Sequence, residues 1–218
     1  MRHAVDVRVK YGLMKRVPWQ EARMNRLIIA ALLALSVAGP ALAQEIVEPK
    51  SGVKFATKDG DTTLLGAGLR TKTVLKVKVY AAGLYVADAA IAGPLKGKAG
   101  TPDLYKELVN GDFKKKIVMK FVRDVSTDQI RDAFHESLKG GGVMDQWINY
   151  FAGVKSGQEF VIAWVPGTGV ETKVTGTDKP AINDKTLAAA IFGIWLGEKP
   201  IQEDLKKDLV SRGPEVLK

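Results

Sequence analysis

Arg70 closes the run Leu64-Leu65-Gly66-Ala67-Gly68-Leu69-Arg70, and Tyr80 follows ten residues later within Val79-Tyr80-Ala81-Ala82-Gly83-Leu84-Tyr85. An arginine keeps its charge and presents a fork of donors suited to a carboxylate or an enolate. The flanking glycines let the backbone turn tightly or admit a ligand closely. A phenol can add a second hydrogen bond to the same anion. On one continuous strand the two side chains would stand about 33 Å apart, at roughly 3.3 Å per residue, so they share a ligand only if the chain reverses between them. No Gly, Pro or Asn marks a turn in Thr71 to Leu75. Taken alone, an arginine here is more often a solvated strand residue, and a tyrosine is as often core as ligand.

Other residues with chemistry in them point less sharply. His135 with Glu136, near Asp132, offers acid-base groups, but a lone histidine on a helix surface is more often structural or solvated. Gly66-x-Gly68 lacks the G-x-G-x-x-G pattern and the helix start of a phosphate loop. Lys114-Lys115-Lys116 and Lys72, Lys76 and Lys78 read as solvated strand ends and edge protection, with a weak pull toward anionic headgroups. Trp147, Trp164, Trp195 and Phe192 read as core, some of them able to line an apolar cavity.

The elements that must position these residues follow from pattern. Val53-Lys54-Phe55 and Thr62 to Leu65 flank the turn Lys58-Asp59-Gly60-Asp61 and read as a hairpin. Leu75, Val77 and Val79 alternate with Lys76, Lys78 and Tyr80, which makes a half-buried strand with Tyr80 on the lysine side; Leu84 to Ala87 continues it. Thr101-Pro102 opens a helix over 103–109, with Thr101 as N-cap, and Gly111 ends it. Ile117 to Val122 is a strand. Ser126 and Gln129 make a capping box for a helix whose Ile130, Ala133, Phe134 and Leu138 share a face. A glycine triplet, 140–142, separates it from a short aromatic helix over 144–151. Phe160 to Val165 and Val170 to Thr175 form a second hairpin, and two helices close the chain, the first over 184–196. Strands and helices mix without βαβ alternation, which predicts an α+β fold: an antiparallel sheet with a layer of helices on one face.

The start of the chain reads as an address. Met24-Asn25-Arg26, the apolar run Leu27 to Val37 and Ala41-Leu42-Ala43 before Gln44 have the parts of a cleavable signal peptide. Residues 1–23 are an upstream start or an extended n-region. Without residues 1–43 the chain keeps 26 basic and 22 acidic residues, so its formal charge falls from +9 to +4 and the nucleic-acid reading loses its support. The remaining 175 residues, 44–218, suit one domain with a full core, placed in the periplasm. With no cysteine and a single histidine in that part, disulfides, thiolate chemistry and multi-histidine metal sites are excluded, and no cofactor is implied.

The runs GAGLR and KVKVYAAGLYVAD, with Ile194-Trp195-Leu196-Gly197-Glu198-Lys199-Pro200 near the end, resemble the chalcone isomerase-like superfamily, especially its secreted bacterial branch, over roughly residues 46–217. The resemblance implies an open-faced β-sandwich. It also implies that Arg70 meets the negative part of a ligand, as this arginine does in both the isomerases and the fatty-acid-binding members. The isomerases add a threonine, a tyrosine, an asparagine and a late threonine. At the matching positions this chain has Tyr80, Ile130, Ser137 and Ile194. Isoleucine cannot donate a hydrogen bond to a developing enolate, and preorganised donors are where such catalysis comes from.

The expectation is therefore a non-catalytic binder of a small amphipathic carboxylate such as a fatty acid. Arg70 and Tyr80 would hold the head, and Val118, Ile130, Phe134, Ser137, Ile194 and Trp195 would surround the rest. Two alternatives stand beside it: an isomerase acting on an enone, in which Arg70 is catalytic, and a structural or partner-binding domain of the cell envelope with a filled core and no cavity.

Overall fold

The computed structural model describes residues 44–72 and 75–218. Ala43–Lys218 form one compact unit. The expected signal peptide lies outside the described residues.

Strands β1 (Glu45–Val47) and β2 (Lys54–Ala56) pair as a small antiparallel sheet. The main sheet runs in sequence order: β3 (Lys58–Asp59), β4 (Thr62–Lys72), β5 (Val77–Ala87), β6 (Lys115–Phe121), β7 (Glu159–Val165), β8 (Gly169–Val174) and β9 (Thr177–Ile182), every neighbour antiparallel. Between and after the strands come helices α1 (Asp88–Ala92), α2 (Pro102–Asn110), α3 (Thr127–Ser137), α4 (Val143–Ile148), α5 (Lys185–Leu196), α6 (Glu203–Asp208) and α7 (Gly213–Val216).

The sheet has two different faces because side chains alternate along each strand. Leu84, Ile117, Met119, Phe160, Ile162 and Trp164 point to one face and share a core with Leu104, Leu108, Trp147, Leu187, Ile191 and Leu205 of the helices. Ala81, Tyr85 and Val118 point to the other, where Phe55 of β2 covers them. The α+β expectation holds, with the helices packed on one face and the β1–β2 ribbon over part of the opposite one.

Several local expectations are met and several are not. The capping box is present: Gln129 N donates to Ser126 Oγ at 3.2 Å and Ser126 N donates to Gln129 Oε1 at 3.2 Å. The hairpin expected from Val53 to Leu65 is split. Its turn joins β3 to β4, while Val53-Lys54-Phe55 belongs with β1, because Phe55 is needed over the outer face of the main sheet. Thr101 is the N-cap residue of α2 as expected, but its side chain makes no capping bond, because its hydroxyl donates to Lys98 O at 2.8 Å. Strand β9 was not expected, since Thr177–Ile182 contains Asp178, Lys179 and Pro180. It is the last strand of the sheet, where a missing N–H costs nothing on the open side.

Candidate functional site

The chain does reverse between Arg70 and Tyr80. Strand β4 ends at Lys72 and β5 begins at Val77, and Arg70 and Tyr80 are paired directly across the two strands. Lys76 takes the left-handed conformation in this connection, at φ 51°, a position where glycine or asparagine is the usual signal. That is why the turn was not visible in the residues.

A second irregularity corrects the expected orientation of Tyr80. Arg70 pairs with Tyr80 but Thr71 pairs with Lys78, so Val79 is an extra residue bulging from β5. A bulge breaks strict alternation at that point. Tyr80 thus leaves the lysine side that simple alternation assigned to it and lines the same cavity as Val77 and Val79. Its side chain is buried, 8% exposed.

That cavity measures about 910 Å³ and lies between the sheet and helices α3 and α5. It sits at the upper end of the range usual for small-molecule sites, about 300–1,000 Å³. Arg70, Tyr80, Ile130, Phe134, Ser137, Ile194 and Trp195 all line it. Strands contribute Met119, Phe121 and Phe160, and the loop after α5 adds Ile201, so most of the wall is apolar. Val118, expected against the ligand's tail, does not belong. Its place on β6 is one residue out of phase with the lining Met119, so it packs on the opposite face with Phe55 and Tyr85.

Arg70 is held from behind by a residue that the sequence reading missed. Gln202, the N-cap of α6, accepts hydrogen bonds through Oε1 from Arg70 Nη1 at 3.2 Å and from Thr71 N at 2.9 Å. Its Nε2 donates to Leu69 O at 3.2 Å. Arg70 Nη1 also donates to Thr71 O. Both bonds use one nitrogen, which leaves Nε and Nη2 without acceptors among the described residues. The guanidinium is anchored on one edge and open on the other. A lone glutamine 132 residues away carries no local signal, so only the fold could reveal it.

The glycines serve this clamp rather than a ligand. A Cβ on Gly66 would lie 2.3 Å from Asp208 O, and one on Gly68 would lie 2.4 Å from Asp208 Cβ. They let α6 lie flat against β4, which brings Gln202 to Arg70.

Tyr80 Oη accepts a hydrogen bond from Trp195 Nε1 at 2.9 Å. Burial pushes the phenol up from its ordinary pKa, against the Trp195 hydrogen bond and the Arg70 charge, which both pull it down. Tyr80 is therefore a neutral donor near pH 7, and its own proton has no acceptor among the described residues. Ser137 is not such a donor, because its hydroxyl is spent on Ala133 O at 2.8 Å. Ile130 and Ile194 present only hydrocarbon. The Arg70 guanidinium and the Tyr80 phenol, beside a wall that is mostly apolar, can bind a carboxylate with a tail.

Other candidates fall elsewhere. His135 faces Asp145 at 3.7 Å on the surface, outside the cavity, while its neighbour Glu136 lines it. Lys114 and Lys116, both half-buried, pair with Asp61 and Asp59 at 2.6 and 2.5 Å. Lys115 between them is 1% exposed, contrary to expectation. Alternation turns it toward the helices, where Nζ donates to Val109 O and Gly111 O at 3.0 Å each and closes the end of α2. Burial lowers its pKa to about 8, against the pull of Asp112 and Glu107. Among the described residues no group of three or more acidic, histidine or cysteine side chains could hold a metal ion.

Comparison with known proteins places this geometry. A family model described as chalcone isomerase-like matches residues 43–211. The chain is 32% identical over 177 residues to chalcone isomerase-like protein 1 of Humulus lupulus, covering 70% of this chain and 82% of that one. It is 25% identical over 195 residues to fatty-acid-binding protein 1 of Arabidopsis thaliana, covering 77% and 70% of the two chains. It is 27% identical over 187 residues to a chalcone–flavanone isomerase of Phaseolus vulgaris, covering 70% and 82%. The crystal structure of an Arabidopsis thaliana fatty-acid-binding protein superposes with a TM-score of 0.67 at 21% identity, over 80% of this chain and 99% of the other. The sheet, its helical layer and this match over most of its length make the chain a member of the chalcone isomerase-like family.

Proposed function

We propose that this protein is a non-catalytic binder of a small amphipathic anion, a fatty acid first among them, exported to the periplasm by a cleavable signal peptide. One observation carries the reading: Arg70 and Tyr80 meet across β4 and β5 at a cavity that also offers a continuous apolar wall from Met119, Phe121, Ile130, Phe134 and Ile194. The carboxylate pairs with the open edge of the guanidinium and accepts a hydrogen bond from the Tyr80 hydroxyl. The acyl chain runs between Ile130, Phe134 and Ile194. Relatives named for fatty-acid binding support the ligand class. The family also holds an enzyme, the isomerase of Phaseolus vulgaris. Against the isomerase reading for this chain stand Ile130 and Ile194, which have no hydrogen to donate, and Ser137, whose hydrogen is engaged in its own helix.

The test is a titration of residues 44–218 with a saturated fatty acid, alongside native mass spectrometry of the gently purified protein. A charge-assisted hydrogen bond of about 1.5–3 kcal/mol makes Arg70→Ala bind roughly ten- to a hundred-fold more weakly. Unchanged affinity in Arg70→Ala removes Arg70 from the site. Flavanone formed from chalcone above the spontaneous rate, and lost in that variant, establishes the isomerase instead.

A further inference from the structure

The cavity carries more positive charge than one carboxylate needs. Arg70, Lys72, Arg123, Lys139 and Lys199 all line it, against a single acid, Glu136. None of the five lies within 4.0 Å of a carboxylate among the described residues. Lys58, Lys114 and Lys116 by contrast each pair with an aspartate. Five cations less one acid is +4, equal to the whole formal charge of residues 44–218, so the rest of that unit sums to zero. The cavity's lining is thus a local concentration of positive charge.

A second feature lies near the cavity. Leu75 is 86% exposed, the most exposed large hydrophobic among the described residues. It stands in the connection between β4 and β5, with Lys76 beside it, three residues from Lys72 and two from Val77, both of which line the cavity. Leucine on a strand connection is ordinarily turned inward or replaced by a polar residue, since exposure forfeits its burial energy.

We propose that this end of the protein docks on an anionic lipid bilayer, with Leu75 inserted at the headgroup boundary and the surrounding cations against the lipid charges. A hydrophobic residue flanked by lysines uses the two attractions that such a surface offers. The cavity then opens onto the bilayer, and its ligand passes between membrane and protein without crossing water; this last clause rests on the fatty-acid reading, whereas the docking does not.

The test uses residues 44–218, which leave out the apolar segment before them. They form a compact unit with its own core, and that unit corresponds to 99% of the length of the crystallised relative. Sedimentation is measured with vesicles of phosphatidylcholine, with and without phosphatidylserine. Binding is expected only to the anionic vesicles and is lost near 1 M salt, where the screening length falls to about 3 Å. Lys76→Gln weakens it about fivefold and Leu75→Ser tenfold or more. Both variants keep wild-type affinity for a fatty acid in vesicle-free solution. Equal binding to both vesicle types, no binding to either, or wild-type binding by both variants overturns the proposal. Docking without any fatty-acid affinity upholds the surface and refutes the ligand reading instead.

Discussion

Gln202→Glu separates the electrostatics of the site from its folding. Gln202 Oε1 accepts from Arg70 Nη1 at 3.2 Å and from Thr71 N at 2.9 Å, and a glutamate oxygen can accept both bonds. Only the bond from Nε2 to Leu69 O, 3.2 Å long, is lost. One ordinary hydrogen bond is worth about 0.5–1.5 kcal/mol, so the fold should survive with a small loss. The change in charge is the larger event. A ligand oxygen on the open edge of the guanidinium would stand roughly 6 Å from residue 202's carboxylate, two hydrogen-bond lengths across one cation. At an effective dielectric constant of about 20–40, two like charges at that distance repel by roughly 1.5–3 kcal/mol. Affinity for a fatty acid should therefore fall about ten- to a hundred-fold. Isothermal titration against a saturated fatty acid and its methyl ester reads this directly. The ester carries no charge and should bind wild type and variant alike. Wild-type affinity for the acid in the variant, or an equal loss for acid and ester, would refute the assignment of Arg70 and its clamp.

Two further outcomes follow from the packing. A buried Lys115 with a pKa near 8, against an ordinary 10.5, means that the unfolded chain binds more protons than the folded one between those values. Stability due to this group therefore rises with pH across that window, and relative to Lys115→Met the wild type should gain up to about 3 kcal/mol. Urea unfolding of both proteins across the window checks it, and parallel curves would show that the lysine is not strained by burial. Gly66→Ala places a methyl group 2.3 Å from the backbone oxygen of Asp208 and must push α6 off β4. A cost of about 1–3 kcal/mol predicts a fall in melting temperature of roughly 3–10 °C, read by calorimetry, and an unchanged value would mean that the helix sits elsewhere.

The capping box at Ser126 was legible because its chemistry is local: two side chains and two backbone groups within four residues. The hairpin of β7 and β8 was legible because a continuous apolar run, Phe160 to Val165, and a second strand run flank a Pro-Gly turn. Strand β9 was not, since an edge strand need not look like one; only its neighbour's free backbone groups make Thr177–Ile182 extend. Lys115 hid inside a run of three lysines, where composition suggests solvent and alternation alone turns the middle one inward. Tyr80 was assigned to the wrong side because one unpaired residue, Val79, shifts every side chain after it by one face.

From the sequence alone come the α+β class, the resemblance to the chalcone isomerase-like family, the absence of thiol and multi-histidine chemistry, and Arg70 with Tyr80 as the pair to watch. Each depends on residue type, short-range period or motif, which a linear chain displays. The tertiary structure alone decided that Arg70 and Tyr80 face one another, that Gln202 anchors the arginine, that the glycines admit a helix, and that five cations gather around one cavity. These depend on strand register and on contacts between segments more than a hundred residues apart. Register shifts with a single bulge, and no local pattern records it.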